Sequence, residues 1–302
     1  MNCPVCNDVS DKLTLEKYKG ESELFKNKNL LKCIYCTFVF MYPMPTISNL
    51  NKYYNNMSRT HEEAFQVYKI QAEERVKYLK SLGVFDGDIN ILDIGTGEGV
   101  LRDVLVESWD GDIDFFATEL SNKLINELTR QNIYLLPYDD VGKLIVPNNV
   151  KFDIITICFV LEHQIDPVEF LYDLTKHLSP KGVLYIDVPH QDYVFKPIYE
   201  AHTLFFSKKS LVALANSLNL DIVNIECFGS DINGLAVDKD VKSLIRWFLP
   251  FFIRRTLYRV FTLFKNQNTS DRIKALYLQH DFDIVRENGR WIRCVLRNKG
   301  GE

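Results

Sequence analysis

The sequence lacks any apolar run as long as the roughly 18 residues that a membrane-crossing helix needs. Its first residues, "MNCPVCNDVS", carry neither the apolar core nor the small-residue cleavage site of a secretory leader. Positive charge is also short. The chain has 36 Lys and Arg against 40 Asp and Glu, a net charge of −4. That balance disfavours general attraction to nucleic-acid backbones, so such a partner would need a local basic patch. Nothing in the composition points to disorder, because 46% hydrophobic and 25% charged residues are ordinary proportions for a globular domain. The 302 residues suffice for one sizeable domain and a small appendage. A cytoplasmic location is expected.

Cysteine is present, and its spacing is informative. Seven is an odd count, and Cys3-Pro-Val-Cys6 and Cys33-Ile-Tyr-Cys36 form two CxxC pairs, a pattern of metal ligation rather than disulfide bonding. Four thiolates on two tight turns can close a tetrahedral structural zinc site with no open position for catalysis. The stretch between them alternates polar and apolar residues around Gly20, as a short hairpin would. A zinc ribbon is therefore expected over residues 1–45, with Cys3, Cys6, Cys33 and Cys36 as ligands. A polar, aromatic connector follows and runs to residue 83, ending in a helix with apolar residues at helical spacing.

From residue 89 the chain alternates strand and helix patterns: "INILDIG", "GVLRDVLVES", "IDFFATEL", "SNKLINELTRQ", "FDIITICFVLE", "DPVEFLYDLTKHLSP", "GVLYIDVP". Such alternation calls for an α/β fold, a doubly wound parallel sheet with helices on both faces. Ligands in such sheets bind at the carboxyl ends of the strands. "DIGTGEG" sits at the end of the first strand. Its glycines, Gly95, Gly97 and Gly99, follow G-x-G-x-G rather than the G-x-G-x-x-G of a dinucleotide fingerprint. Glu119 closes the next strand, where a carboxylate can accept ribose hydroxyls. These two elements suit an adenosine cofactor without choosing among them.

The stretch "FDIITICFVLEHQIDP" with "LSPKGVLYIDVP" resembles the fourth and fifth strands of class I S-adenosylmethionine-dependent methyltransferases. The segment "EAHTLFFSKKSLVALANSLNLDIVNIECFG" is similar to one found in members acting on small molecules and sugars. The CxxC prefix with "LLKCIYCTFVFMYPMPTISNLNKYY" resembles the head of bacterial sugar and polysaccharide methyltransferases. The resemblance covers about residues 1–230 and the final strand. It implies a Rossmann-like seven-stranded methyltransferase sheet over 84–302, with a helical insertion at 230–288 before the last strand.

The resemblance also implies roles. Gly95, Gly97 and Gly99 would pass under the methionine part of S-adenosylmethionine, with Asp93 near its amino group. Glu119 would hold the ribose and Leu120 flank the adenine. Asp139 or Asp140 would read the adenine amino group. Cys158 and Phe159 would line the methyl-donor pocket, although a buried core thiol is an equal reading of Cys158. A hydroxyl or carbon-acid acceptor must lose a proton, and histidine is the side chain suited to take it near neutral pH. His163, His190 and His202 are candidates. His202 is favoured, with Tyr199 and Glu200 close by, although Ala201 separates Glu200 from the histidine where the family places them together. For His163, capping or packing of the next helix competes with catalysis. No D/N-P-P-Y/F stretch follows the fourth strand, so methylation of base amino groups in DNA is disfavoured.

The expected function is S-adenosylmethionine-dependent methyl transfer to an oxygen or carbon of a sugar or glycan intermediate, free or on a nucleotide or lipid carrier. Another small metabolite, such as a quinone or lipid, is the enzyme alternative. A non-catalytic domain that binds the cofactor or a partner is the other. Residues 240–265 hold Lys242, Arg246, Arg254, Arg255, Arg259 and Lys265 with no acid after Asp240. This basic amphipathic stretch suits either a protein-covered helix or peripheral contact with an anionic membrane, and it keeps RNA in view as a disfavoured partner.

Overall fold

A computed structural model of the chain describes residues 2–9, 12–55, 62–83, 87–130, 133–139, 142–236 and 284–300. Residues 240–265, the basic stretch, lie outside these, as does most of the 230–288 insertion. Among the described residues no helix is long and apolar enough to cross a membrane.

The chain opens with three strands, β1 (Lys12–Lys17), β2 (Asn29–Cys33) and β3 (Val39–Tyr42), followed by α1 (Ile47–Asn55) and α2 (Glu62–Ser81). Then β4 (Ile89–Ile94), α3 (Val100–Ser108), β5 (Ile113–Thr118), α4 (Asn122–Arg130) and β6 (Tyr134–Leu135) alternate. The second half holds β7 (Phe152–Cys158), α5 (Pro167–Thr175), β8 (Leu178–Pro189), β9 (Leu204–Phe205), α6 (Lys208–Ser217), β10 (Leu220–Asp231) and β11 (Gly289–Asn298).

Seven strands form one sheet in the order β10-β11-β8-β7-β4-β5-β6, as the alternation implies for this Rossmann-like fold. β4, β5, β6, β7 and β8 are parallel, and β11 runs antiparallel to both its neighbours. β4 is central, so Ile89, Ile91, Leu92 and Ile94 are buried on both of its faces. The helices cover those faces in the usual way. In α3, Val100, Leu101, Val104 and Leu105 form one buried stripe and share a core with Ala72, Val76 and Leu79 of α2. From β4 the chain steps outward to β5 and β6, then returns to the other side of β4 for β7. The reversal opens a crevice at the carboxyl ends of β4 and β7.

Two motifs that drew attention in the sequence are helix caps. In "LEHQIDP", Asp166 accepts hydrogen bonds from the amides of Val168 and Glu169, and Pro167 occupies the first turn of α5. In "FFSKKS", Ser207 and Ser210 form a reciprocal capping box at α6. Each such cap contributes about 1 kcal/mol.

The ribbon does not close on itself. Its strands form a four-stranded sheet in the order β1-β2-β3-β9, and β9 comes from residues 204–205. Val39 pairs with Phe205 and Phe40 with Leu204, while the Met41 amide donates to the Thr203 carbonyl over 2.8 Å. Phe38 and Phe40 enter the same core as Phe206, Leu211 and Leu214. The segment carrying His202 is therefore an extension of the ribbon sheet.

Candidate active site

The crevice begins where β4 ends. Past Asp93 and Ile94 the backbone turns through Gly95, Gly97 and Gly99 at φ +70°, +61° and +78°, and Gly99 opens α3. Side chains rarely adopt this left-handed region. A Cβ on Gly95 would stand 2.6 Å from Val160 Cγ2, whereas one on Gly97 would meet nothing within 4 Å among the described residues. The space over Gly97 is open to a ligand.

Neighbouring strands fix this loop. Gly95 donates its N–H to Thr118 Oγ1 (3.1 Å), which also accepts from the Tyr138 hydroxyl (3.1 Å). Gly97 donates to Glu119 Oε2 (3.0 Å), while Glu119 Oε1 accepts from the amides of Leu120 (2.7 Å) and Ser121 (2.8 Å). A carboxylate offers roughly four acceptor positions. Three are taken, so Glu119 keeps one for a ligand hydroxyl. Leu120 beside it is exposed. Asp93 is buried and accepts from Thr156 Oγ1 over 2.6 Å. Burial pushes its pKa up, opposed by the Thr156 hydrogen bond and the nearby Arg75 charge.

Asp139 points its chemistry into its own turn, where Oδ1 accepts from the Lys143 amide (2.8 Å). Its neighbour Tyr138 is the residue of that loop whose hydroxyl meets the Thr118 oxygen of the cradle. Asp140 lies outside the described residues. Cys158, at the end of β7, is partly buried against the second core, and burial raises its pKa well above the usual thiol value. Phe159 follows at φ +56°, with the Arg75 guanidinium 5.3 Å from its ring centroid. Arg75 reaches in from α2 and pairs with Asp187 of β8 (Nε to Oδ2, 3.0 Å), the register partner of Cys158 on β7. Arg75 Nη2 and Asp187 Oδ1 have no hydrogen-bond partner among the described residues. Buried polar atoms of this kind are costly unless a ligand or water meets them.

A second cluster stands beyond Val160, the residue that touches the glycine loop. A short 3-10 turn, Leu161–His163, carries Glu162 and His163, and the Thr203 amide donates to the Glu162 carbonyl over 2.9 Å. The His163 and His202 rings meet edge to face with centroids 4.9 Å apart. His163 Nδ1 lies 2.9 Å from the Tyr54 hydroxyl and 3.2 Å from the Ala201 carbonyl. His202 Nδ1 lies 2.8 Å from Asp192 Oδ2, an oxygen that also faces Lys196 Nζ at 2.7 Å. Glu162 is 2% exposed and Asp192 1% exposed, yet their acidities diverge. Burial pushes Glu162 up to about 8. Burial also opposes ionisation of Asp192, but His202 and Lys196 outweigh it and hold its pKa at about 2. Diverging pKa values in one pocket are a mark of acid–base chemistry.

Tyr199 and Glu200, expected beside His202, face the ribbon instead. Glu200 Oε2 accepts from the amides of Glu21 (2.7 Å) and Ser22 (3.0 Å), and Oε1 accepts from the Tyr53 hydroxyl (3.1 Å). Tyr199 is fully buried and its hydroxyl bonds to Glu16 and the Tyr193 carbonyl (3.0 Å). Ala201 separates Glu200 from His202, and the two side chains meet different partners. Asp192 holds the place given to Glu200. Its sequence signal was faint: an acid two residues after His190, itself buried with Nδ1 donating to the Gly289 carbonyl (2.8 Å) and its pKa lowered by burial.

Comparison with known families matches residues 68–225 to the one described as Methyltransferase domain. The chain belongs to this methyltransferase family. Among solved structures, it is similar to an S-adenosylmethionine-dependent methyltransferase from Clostridium acetobutylicum at 14% identity, covering 77% of this chain and 92% of that one (TM-score 0.45). It is also similar to the plantazolicin methyltransferase BpumL in complex with SAH at 17% identity, 83% and 90% coverage and TM-score 0.47. A third is a SAM-dependent methyltransferase from Aquifex aeolicus, at 20% identity, 56% and 93% coverage and TM-score 0.42. No curated protein matches the sequence.

The methyltransferase's four N-terminal cysteines converge. Cys3 Sγ and Cys36 Sγ are 3.6 Å apart, Cys6 Sγ and Cys33 Sγ 3.7 Å, and all four sulfurs lie within 4.8 Å of one another. A tetrahedral ion with bonds of about 2.3 Å has sulfur–sulfur edges of about 3.8 Å. The donor set fits zinc in size and chemistry.

Proposed function

We propose that this methyltransferase acts on an oxygen or carbon of a sugar or glycan intermediate, free or on a nucleotide or lipid carrier, and that Cys3, Cys6, Cys33 and Cys36 hold a structural zinc. The observation that carries the reading is the Asp192–His202 pair, at 2.8 Å, on the segment that completes the ribbon sheet. A proton-accepting imidazole beside the cradle suits an acceptor that must lose a proton. The ribbon side adds hydroxyl-bearing rings, with Tyr54 against His163 and the Tyr18 hydroxyl donating to the His202 carbonyl over 2.9 Å. The half-buried Tyr54 suits a polyhydroxylated acceptor, which stacks on aromatic faces and exchanges hydrogen bonds with phenols, while buried Tyr18 braces the backbone at His202.

S-adenosylmethionine supplies an electrophilic methyl group on a sulfonium. Asp93, Gly95, Gly97 and Gly99, Glu119 and Leu120 would hold it, with Cys158 and Phe159 on the donor side. Asp192 orients the His202 ring, and His202 takes the acceptor's proton as the new bond to carbon forms. The experiment is His202→Ala. Turnover with sugar-nucleotide acceptors should fall roughly 100- to 10,000-fold with S-adenosylhomocysteine binding retained. Unchanged turnover would refute the base assignment, and turnover with none of a panel of hydroxylated acceptors would refute the acceptor class.

A further inference from the structure

Glu162 is the buried group that the reading above leaves without work. Its Oε2 has no hydrogen-bond partner among the described residues, although the side chain is 2% exposed. One acceptor-type atom each from Glu162, His163 and His202 lies within 4.8 Å of the other two. Two imidazoles and a carboxylate with remaining positions open are a recurrent ligand set for divalent transition-metal ions.

The surroundings of both rings fit that set. A metal-bound histidine usually has its other nitrogen tied to a carboxylate or carbonyl, which fixes the tautomer. His202 Nδ1 lies 2.8 Å from Asp192 Oδ2, and His163 Nδ1 faces the Ala201 carbonyl at 3.2 Å. For His202 that places Nε2 toward the cluster. His163 Nε2 is 4.0 Å from Glu162 Oε1. Metal–nitrogen bonds of about 2.1 Å require ligand atoms about 3 to 3.4 Å apart, so the cluster closes by about an ångström on binding.

A cation already stands at this place. Lys196 Nζ is 2.7 Å from Asp192 Oδ2 and 3.4 Å from His202 Nε2, and its side chain is 35% exposed on a flexible stem. It balances Asp192 and can swing to solvent, vacating the position beside Nε2.

We propose that Glu162, His163 and His202 bind one divalent transition-metal ion at the acceptor site, with Lys196 occupying the position in its absence. The proposal rests on the acceptor-site reading and changes one role in it, since a metal-bound His202 no longer takes the acceptor's proton. With the ion bound, His202 Nε2 is a ligand, and the open positions receive an acceptor oxygen together with a neighbouring hydroxyl or carbonyl. The ion lowers the pKa of the bound hydroxyl. Its proton then leaves to solvent water, the oxygen's electron pair forms the new bond to the methyl carbon, and the carbon–sulfur pair returns to sulfur.

The test is titration of the full-length protein with Mn²⁺, a probe with little taste for thiolates, followed by loss of the free-ion paramagnetic resonance signal. One Mn²⁺ per chain is expected. Glu162→Gln and His163→Ala should each weaken it at least tenfold, and Lys196→Met should tighten it. The tightening is a result that a merely structural role for the cluster does not produce. Absence of saturable binding in the wild type, or binding unaffected by Glu162→Gln and His163→Ala, overturns the proposal. If those two variants fail to fold, the wild-type stoichiometry and the sign of the Lys196→Met change decide it alone. Thermal shift with S-adenosylhomocysteine, run in parallel without Mn²⁺, reports cofactor binding separately. Ligand-induced stabilisation without Mn²⁺ binding sinks the metal site only, and Mn²⁺ binding without it sinks the methyltransferase site only.

Discussion

The two halves of the active site are built in different ways. The cradle is local: Asp93 to Gly99, Thr118, Glu119 and Thr156 come from three adjacent parallel strands and the turns that follow them. The histidine cluster is assembled from Tyr54, Glu162, His163, Asp192, Lys196 and His202, on four separate segments, with Tyr18 of the ribbon holding the His202 carbonyl across 184 residues. Damage to the cradle should therefore remain in cofactor binding. Damage far away in the ribbon should reach the acceptor chemistry.

The largest effect should follow from breaking the ribbon. Cys33→Ser removes one of four clustered sulfurs, and loss of a structural metal is among the few single changes that cost about 4 kcal/mol or more. Because β9 pairs with β3, turnover should fall to background while S-adenosylhomocysteine still shifts the melting temperature of the remaining fold. Zinc content, melting temperature and turnover measured together check this. Full activity in a zinc-free protein would show that the ribbon and His202 are uncoupled.

Asp192→Asn sharpens the comparison from the acceptor side. The variant keeps the shape and removes the charge that faces His202 and Lys196, so kcat should drop roughly 100-fold or more with cofactor affinity unchanged. Glu200→Gln is the counterpart. Among the described residues Glu200 accepts from the Glu21 and Ser22 amides and the Tyr53 hydroxyl, away from His202, so about 1 kcal/mol of stability and little kcat should be lost. The reverse ranking would restore Glu200 as the orienting acid.

The same contrast decides what could be read from the sequence. The cradle was legible because strand, glycine turn and carboxylate follow one another along the chain, and parallel pairing carries Asp93 and Glu119 together without further information. The cysteine pairs were legible because spacing alone brings two sulfurs to one point. Asp192 and Glu162 were not, since their roles depend on which way a loop residue faces, and Glu200, two residues from His202, faces the ribbon. Arg75 was hidden in an ordinary amphipathic helix. Its partner Asp187 is in a strand that reads as buried throughout, where nothing marks a charge as paired.

Within the cradle, Gly95 and Gly97 separate packing from binding. Both sit at positive φ, which costs an alanine about 1–2 kcal/mol. Gly95→Ala adds a methyl 2.6 Å from Val160 Cγ2, so stability and cofactor affinity should both fall. Gly97→Ala meets no atom within 4 Å among the described residues, and its methyl enters the space proposed for the cofactor. Cofactor affinity should drop about tenfold or more, some 1.4 kcal/mol, with a smaller loss of melting temperature than Gly95→Ala. Equal losses of affinity and stability in the two variants would mean that the space over Gly97 is not the cofactor's.

The smallest effect is one of pH. Burial raises the pKa of Asp93 above the ordinary carboxylate value, so its charge is lost at a higher pH than that of an exposed aspartate. The folded protein then binds this proton more tightly than the unfolded chain. Between the unfolded and the folded pKa the Asp93 contribution to stability improves as pH falls and worsens as pH rises. Affinity for the cofactor's ammonium runs the other way, because it needs the carboxylate ionised, and weakens as pH falls through the raised pKa. Asp192, held at about 2, stays charged across this window, so the acceptor side does not contribute to it. Thr156→Val removes the 2.6 Å hydrogen bond that opposes the upward shift. Its midpoint for loss of cofactor binding, followed by calorimetry from neutral to acid pH, should therefore lie above that of the wild type. A midpoint that stays in place or moves down would mean that Asp93 does not face the cofactor's charge.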